Sequence, residues 1–189
     1  MTYINLLFYI ILLFNSIGLN GKFSNEEKIK NDASYPTPLK TDKLLFYIQR
    51  SHNKNTIAYD INFSTEGKIN TKEPIHPYWI RFEEGGNKAE LSFIQRKYAY
   101  GLDCKLVDKD KESFIINFVC YHKRNIYLLR TGENRKYNAC IYINGKLSIL
   151  NKIFFKYDGG PFWFPKITYI DIFGNDLKTG AEITERFVP

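Results

Sequence analysis

Cysteine is scarce in this chain, and no two cysteines stand in a CxxC. The three present, Cys104, Cys120 and Cys140, exclude a redox-motif or zinc-ribbon reading and allow at most one internal bridge. As small buried hydrophobes they need no further role. Methionine occurs once and alanine is sparse, which argues against a helical bundle. No segment sustains a helical period of apolar residues. There is no GxSxG elbow, HExxH, P-loop or GxGxxG. The three histidines, His52, His76 and His122, are far apart and lack ligand spacing, so neither a metal nor a cofactor is expected. Carboxylates such as Asp60, Glu83, Glu84, Glu90 and Asp103 show no pairing along the chain, so a glycosidase-like pair stays a secondary alternative. The apolar run near the amino terminus is too short to span a bilayer comfortably, and no transmembrane span is expected after it.

Aromatic residues, by contrast, are abundant: 14 Tyr and 15 Phe, 16% of the chain counting Trp, within a hydrophobic content of 44%. Such side chains fit pleated, half-buried surfaces and lean the composition towards sheet. The formal net charge is +7. That suits an anionic partner, but the basic residues are scattered, and a solvated basic surface explains them as simply. The one local excess, over 121–136, sets Lys123, Arg124, Arg130, Arg135 and Lys136 against Glu133. No RNP-type motif, zinc knuckle or basic helix accompanies it, so nucleic acid is not expected as a partner.

The amino terminus reads as a leader. An apolar run over 4–14, broken only by Asn5, precedes Ser16-Ile17-Gly18, whose small residues suit cleavage after Gly18. This is the pattern of a secretory signal peptide over 1–18, although no Lys or Arg precedes the run. An extracytoplasmic location, periplasmic or secreted, follows as the expectation. Residues 19–43 are mostly polar, contain Tyr35-Pro36-Thr37-Pro38 and read as a linker into a single β domain over 44–189.

Within that domain strand-like runs recur at 44–50, 56–64, 77–83, 89–98, 102–107, 113–121, 126–130, 137–143, 146–156 and 167–173. Tight-turn chemistry fills the gaps, most clearly Asn144-Gly145, where both residues tolerate the positive φ of a type I′ turn. The spacing predicts an all-β domain: an antiparallel meander of roughly eight to ten strands, closed as a β-barrel or folded as a β-sandwich. In one hairpin, pairing Val107 with Ser113 sets Cys104 opposite Ile116. Cys120 then lies about 13 Å further along its strand at the usual rise, too far to be bridged to Cys104.

Two runs share an ending, Leu44-Leu45-Phe46-Tyr47-Ile48-Gln49-Arg50 and Leu91-Ser92-Phe93-Ile94-Gln95-Arg96. If Glu84–Asn87 is a loop and Glu83 pairs Lys88, then Tyr78, Ile80 and Phe82 oppose Phe93, Leu91 and Ala89 on one apolar face. Trp79 and Arg81 then lie on the other, with Arg81 across from Glu90. That parity turns Gln95 inward. In the first hairpin one register turns Gln49 inward with Leu45 and Tyr47, and another, nearly as good, turns Phe46 and Ile48 inward. Gln49, Arg50, Gln95 and Arg96, with Trp79 and Arg81, form either a structural polar network or a ligand site. A Gly/Pro-bounded loop, Asp158-Gly159-Gly160-Pro161-Phe162-Trp163-Phe164-Pro165, carries adjacent aromatics. Phe162 and Trp163 would serve as a platform for a sugar ring or peptide, or as a plug at a barrel end.

The stretches Phe-Tyr-Ile-Gln-Arg-Ser-His-Asn-Lys-Asn-Thr (46–56), Pro-Tyr-Trp-Ile-Arg (77–81), Phe-Ile-Gln-Arg-Lys-Tyr-Ala-Tyr-Gly (93–101) and Tyr-Ile-Asp-Ile-Phe-Gly-Asn-Asp-Leu-Lys-Thr-Gly (169–180) resemble an uncharacterised bacterial family, domain of unknown function number 4833. The resemblance implies an exported bacterial domain and brings no activity, cofactor or catalytic residue. The residues together point to an exported non-catalytic binding domain for a small molecule, glycan or envelope protein. The alternatives are a hydrolase acting on envelope or glycan material and a structural envelope protein.

Overall fold

The computed structural model describes residues 35–110, 112–158 and 166–189. The expected leader, with most of the segment that follows it, and Phe162 and Trp163 lie outside the described residues. Eleven strands run along the described chain: β1 (Leu44–Arg50), β2 (Asn53–Ile61), β3 (Ile75–Arg81), β4 (Asn87–Glu90), β5 (Leu102–Asp108), β6 (Ser113–Phe118), β7 (Tyr121–Thr131), β8 (Lys136–Ile143), β9 (Lys146–Tyr157), β10 (Ile167–Asp176) and β11 (Glu182–Phe187). The fold is all-β, one curled sheet forming a half-barrel. No helix among the described residues is long and apolar enough to cross a membrane.

Strand β9 organises the sheet. Along one edge its first residues pair antiparallel with β8, from Ile143↔Lys146 to Cys140↔Ile149. Further along the same edge it pairs with β1 in parallel, from Tyr47↔Lys152 to Arg50↔Phe155. Its other edge carries β10, which in turn carries β11. Two wings, β4-β3-β2-β1 and β5-β6-β7-β8, therefore diverge from one edge of β9. They close on each other around a common core: Phe46 and Tyr59 stack with centroids 4.4 Å apart, and Phe118 of the opposite wing meets them edge-on at 6.3 and 5.8 Å.

The sheet is thus mixed, which corrects the expected antiparallel meander. Turn signals report only on neighbours in sequence, whereas β1 and β9 are brought together by closure of the whole intervening chain. Two local readings hold. Asn144 and Gly145 hold φ of 48° and 76°, and Cys104 lies opposite Ile116, although Ser113 pairs with Asp108 and not with Val107, because a register shift between Leu106 and Asp108 takes up the extra residue.

The first hairpin takes the register that turns Phe46 and Ile48 inward, pairing Phe46 with Tyr59 and Ile48 with Ile57. Burying a Phe stabilises by about 1.5–3 kcal/mol, and Phe carries no hydroxyl that must be paired. Tyr47 does, and it sits on the opposite face, hydrogen-bonded to the Thr37 side chain. Residues 35–38 lie along that face. Tyr35 meets Phe154 edge-on at 5.4 Å, and Gln49 Nε2 donates to the Pro36 carbonyl at 2.9 Å. Gln49 is 3% exposed there, away from the main core.

The second correction lies at 89–98. Strand β4 stops at Glu90, and a short helix, α1 (Phe93–Gln95), runs on as a π-helical turn, Arg96–Tyr100. The cause is a capping box. Ser92 Oγ accepts from the Gln95 amide at 3.3 Å, and Gln95 Oε1 accepts from the Ser92 amide at 3.0 Å. The β3–β4 register also shifts, to Trp79↔Ala89 and Tyr78↔Glu90. A helical turn at Phe82–Glu84 plus Gly85 and Gly86, both at φ of 80°, fill the connection in place of the expected loop. That shift reverses parity: Trp79 joins the core, and Phe93 and Ile94 are left 75% and 61% exposed.

Candidate functional site

The reversed parity assembles a polar-aromatic cluster where β1, β3 and β9 end. Arg50 is the last residue of β1 and shares the inward face of Phe46 and Ile48. Its guanidinium lies over the Trp79 ring at 4.8 Å and over the Tyr100 ring at 5.8 Å. The two rings meet edge-on, 5.7 Å apart at 77°. Arg50 Nη1 donates to the Tyr100 hydroxyl at 3.0 Å. Its Nε is shut from solvent, and among the described residues it has no hydrogen-bond partner and no carboxylate pairs with the guanidinium. A guanidinium held on two ring faces without a counter-charge can receive an anion.

Each wall is fixed in turn. Trp79 Nε1 donates to Gln95 Oε1 at 3.2 Å, and the Ser92 amide donates to the same oxygen. Two donors on one atom settle the orientation of that amide group. The backbone carbonyl of Tyr100 accepts from the buried Tyr59 hydroxyl at 3.0 Å, and Ala99 O accepts from Cys120 Sγ at 3.0 Å. Gly101 ends the turn because a Cβ there would lie 1.8 Å from the Arg96 carbonyl oxygen. On the β9 side, Ser51 and His52 both reach the Tyr157 carbonyl, at 3.3 and 3.1 Å.

The buried Tyr59 and Tyr157 hydroxyls and the cysteine thiols stay protonated near neutral pH. Burial pushes the Tyr59 and Tyr157 hydroxyls upward, with Tyr100 and Cys120 adding to it; Arg50 draws Tyr157 partly back. Burial likewise holds the Cys120 thiol up at about 11 and Cys140 at about 11. Cys104 is pushed to about 12 by burial and by the charges of Asp103 and Glu73. A thiol must be ionised to act as a nucleophile, so these three, all free, are poorly suited to one.

Of the residues singled out by sequence, Arg50, Trp79 and Gln95 come together here. Gln49 is on the opposite face of β1, bonded to Pro36. Arg81 pairs with Glu84 at 3.0 Å, not with Glu90. Arg96 takes Glu90 at 2.9 Å and Glu73 at 2.5 Å, in an exposed network with His76. Tyr100 and Tyr59 were missed. The Ser92-x-x-Gln95 box was the available signal for Tyr100, since it marks a helix start where alternation suggested a strand. Nothing in the sequence marks the Tyr59 hydroxyl.

The remaining candidates separate. His52, His76 and His122 sit on Tyr157 O, Glu90 and Asp103 respectively. No group of metal-ligating side chains occurs among the described residues. Within the basic stretch Arg124 pairs with Glu185, Arg130 with Glu112 and Lys136 with Asp42, so much of its charge is already neutralised.

Comparison with known proteins gives one match. The family model described as a domain of unknown function, DUF4833, covers residues 46–186. No curated protein and no solved structure matches the chain.

Proposed function

We propose that this chain, which belongs to the DUF4833 family, is an exported, non-catalytic binding domain whose ligand carries negative charge and seats against Arg50. The observation that carries this reading is the guanidinium stacked on Trp79 and Tyr100, with its Nε unbonded and no acid partner among the described residues. Leaving a buried charged donor unsatisfied costs roughly 1–3 kcal/mol or more. A purely structural arginine would be expected to recover that cost, as Arg186 does on Asp171 with two bonds at 2.7 and 2.9 Å. Burial suppresses ionisation of the Cys104, Cys120 and Cys140 thiols, which argues against a cysteine hydrolase. Export is supported by the apolar run over 4–14 and Ser16-Ile17-Gly18. A small acid or an acidic glycan fits this chemistry better than an uncharged ligand.

Thermal unfolding in an uncharged buffer tests the reading. Phosphate, sulfate, citrate, glucuronate and benzoate are each added in the millimolar range to the wild type and to Arg50→Gln. A ligand at ten times its Kd adds about 1.4 kcal/mol, about 3–5 °C for a domain of this size. At least one anion should raise Tm by that amount in the wild type and not in Arg50→Gln. If none does, the reading is wrong.

A further inference from the structure

Resting on that reading, we infer that Arg50 receives a single carboxylate carried on a ring, with its two oxygens on the Nε–Nη2 edge of the guanidinium and the ring against Trp79 and Tyr100. An arginine presents two forks, the end-on pair Nη1 and Nη2 and the side-on pair Nε and Nη2. Nη1 is committed to the Tyr100 hydroxyl at 3.0 Å, and Nε has no hydrogen-bond partner among the described residues. The side-on fork is therefore the one left whole, and its parallel N–H bonds match the spacing of carboxylate oxygens.

Charge balance selects a monoanion. The side chains that interact with Arg50 are Trp79, Tyr100 and Tyr157, none of them a second cation, and His52 beside them is held on the Tyr157 carbonyl. One guanidinium neutralises one negative charge. A phosphate dianion would bring a second charge into a poorly solvated site and be left partly unpaired.

The walls select the body that carries the acid. Trp79 and Tyr100 stand nearly perpendicular, 77° apart with centroids at 5.7 Å. A ring entering beside them can meet one wall face-on and the other edge-on, the two favoured aromatic geometries. Because Nε is closed to water, the site must open to admit the acid. The irregular element beside it is the π-helical turn Arg96–Tyr100, and such turns recur at functional sites; to open, it must release the bonds from Tyr59 to Tyr100 O and from Cys120 to Ala99 O. The acid could come from a free aromatic acid or from a uronate residue of a glycan.

Calorimetric titration of the full chain separates the cases. The probes are benzoate, its uncharged counterpart benzamide, acetate, glucuronate and inorganic phosphate. Benzoate or glucuronate should bind at least tenfold more tightly than benzamide, acetate and phosphate, and which of the two leads identifies the source. Arg50→Lys keeps the charge but removes the fork and should weaken the leading acid at least tenfold. Equal binding of benzoate and benzamide, or undiminished binding in a folded Arg50→Lys, overturns the inference. If acetate matches the ring acids, the ring is wrong. If phosphate binds through Arg50 better than any carboxylate, the carboxylate is wrong while the anion-binding reading stands. If no anion binds, both fall. Should the Arg50 variants not fold, the wild-type series alone decides.

Discussion

Trp79 and Gln95 are tied by an indole N–H···O bond of 3.2 Å, which joins a core strand to the first turn of α1. The same Gln95 oxygen caps that turn through the Ser92 amide. One side-chain atom thus fixes both the position of the tryptophan under Arg50 and the start of the turn that ends in Tyr100.

Gln95→Leu should therefore lose two acceptor contacts at once. We expect a destabilisation of about 1–3 kcal/mol in urea melts, whereas Gln95→Glu, which can still close the capping box, should cost less than about 1 kcal/mol. Gln49→Leu should be additive with Gln95→Leu to within about 0.5 kcal/mol, because the two lie on different faces and share no partner. A larger coupling would mean that the two glutamines communicate.

Gly101→Ala should misplace Tyr100. The added Cβ would meet backbone, the Arg96 carbonyl oxygen at 1.8 Å, and a carbonyl cannot swing aside as a side chain can. We expect a loss of about 1–3 kcal/mol with a change in tryptophan fluorescence as the Trp79–Tyr100 contact is disturbed. An unchanged melt and spectrum would show that the turn tolerates the methyl group.

Arg186→Met should be damaging. Asp171 is 2% exposed and receives both Nε and Nη2 of Arg186. Breaking a fully buried pair costs about 3–5 kcal/mol, but Arg186 remains about a third exposed, so a loss of about 2–3 kcal/mol is expected. The double change to Asp171→Leu and Arg186→Met should recover part of it, because no uncompensated carboxylate remains. Urea midpoints of the three chains check this.

Stability should fall in mild alkali. The buried Cys140 thiol is pushed from the ordinary 9.0 to about 11, so between those values the folded chain keeps a proton that the unfolded chain has released. Raising the pH then favours unfolding. The contribution is intact below about pH 9 and amounts to a loss of roughly 2 kcal/mol by pH 11. Tyr59 and Tyr157, raised by burial, act in the same direction. Denaturation midpoints between pH 8 and 11 should decline less steeply in Cys140→Ala than in the wild type, and parallel declines would contradict the assignment.

By itself the sequence determined the class of fold and much of its local detail. Alternating aromatic and β-branched runs can bury one face only as strands, and Asn144-Gly145 carries its turn in its own φ preferences. The same local logic paired Cys104 with Ile116. It went astray at 89–98, where apolar alternation and a capping box compete within one short segment. Only the tertiary structure decided between them, because the gain from turning Trp79 into the core depends on what else fills that core. Tertiary structure also set β1 beside β9 in parallel and so placed Arg50 at the rim beside Trp79 and Tyr100. No turn residue or period encodes that neighbourhood. It arises when two wings of a curled sheet close on β9, and the energy that selects it is spread over the whole buried face.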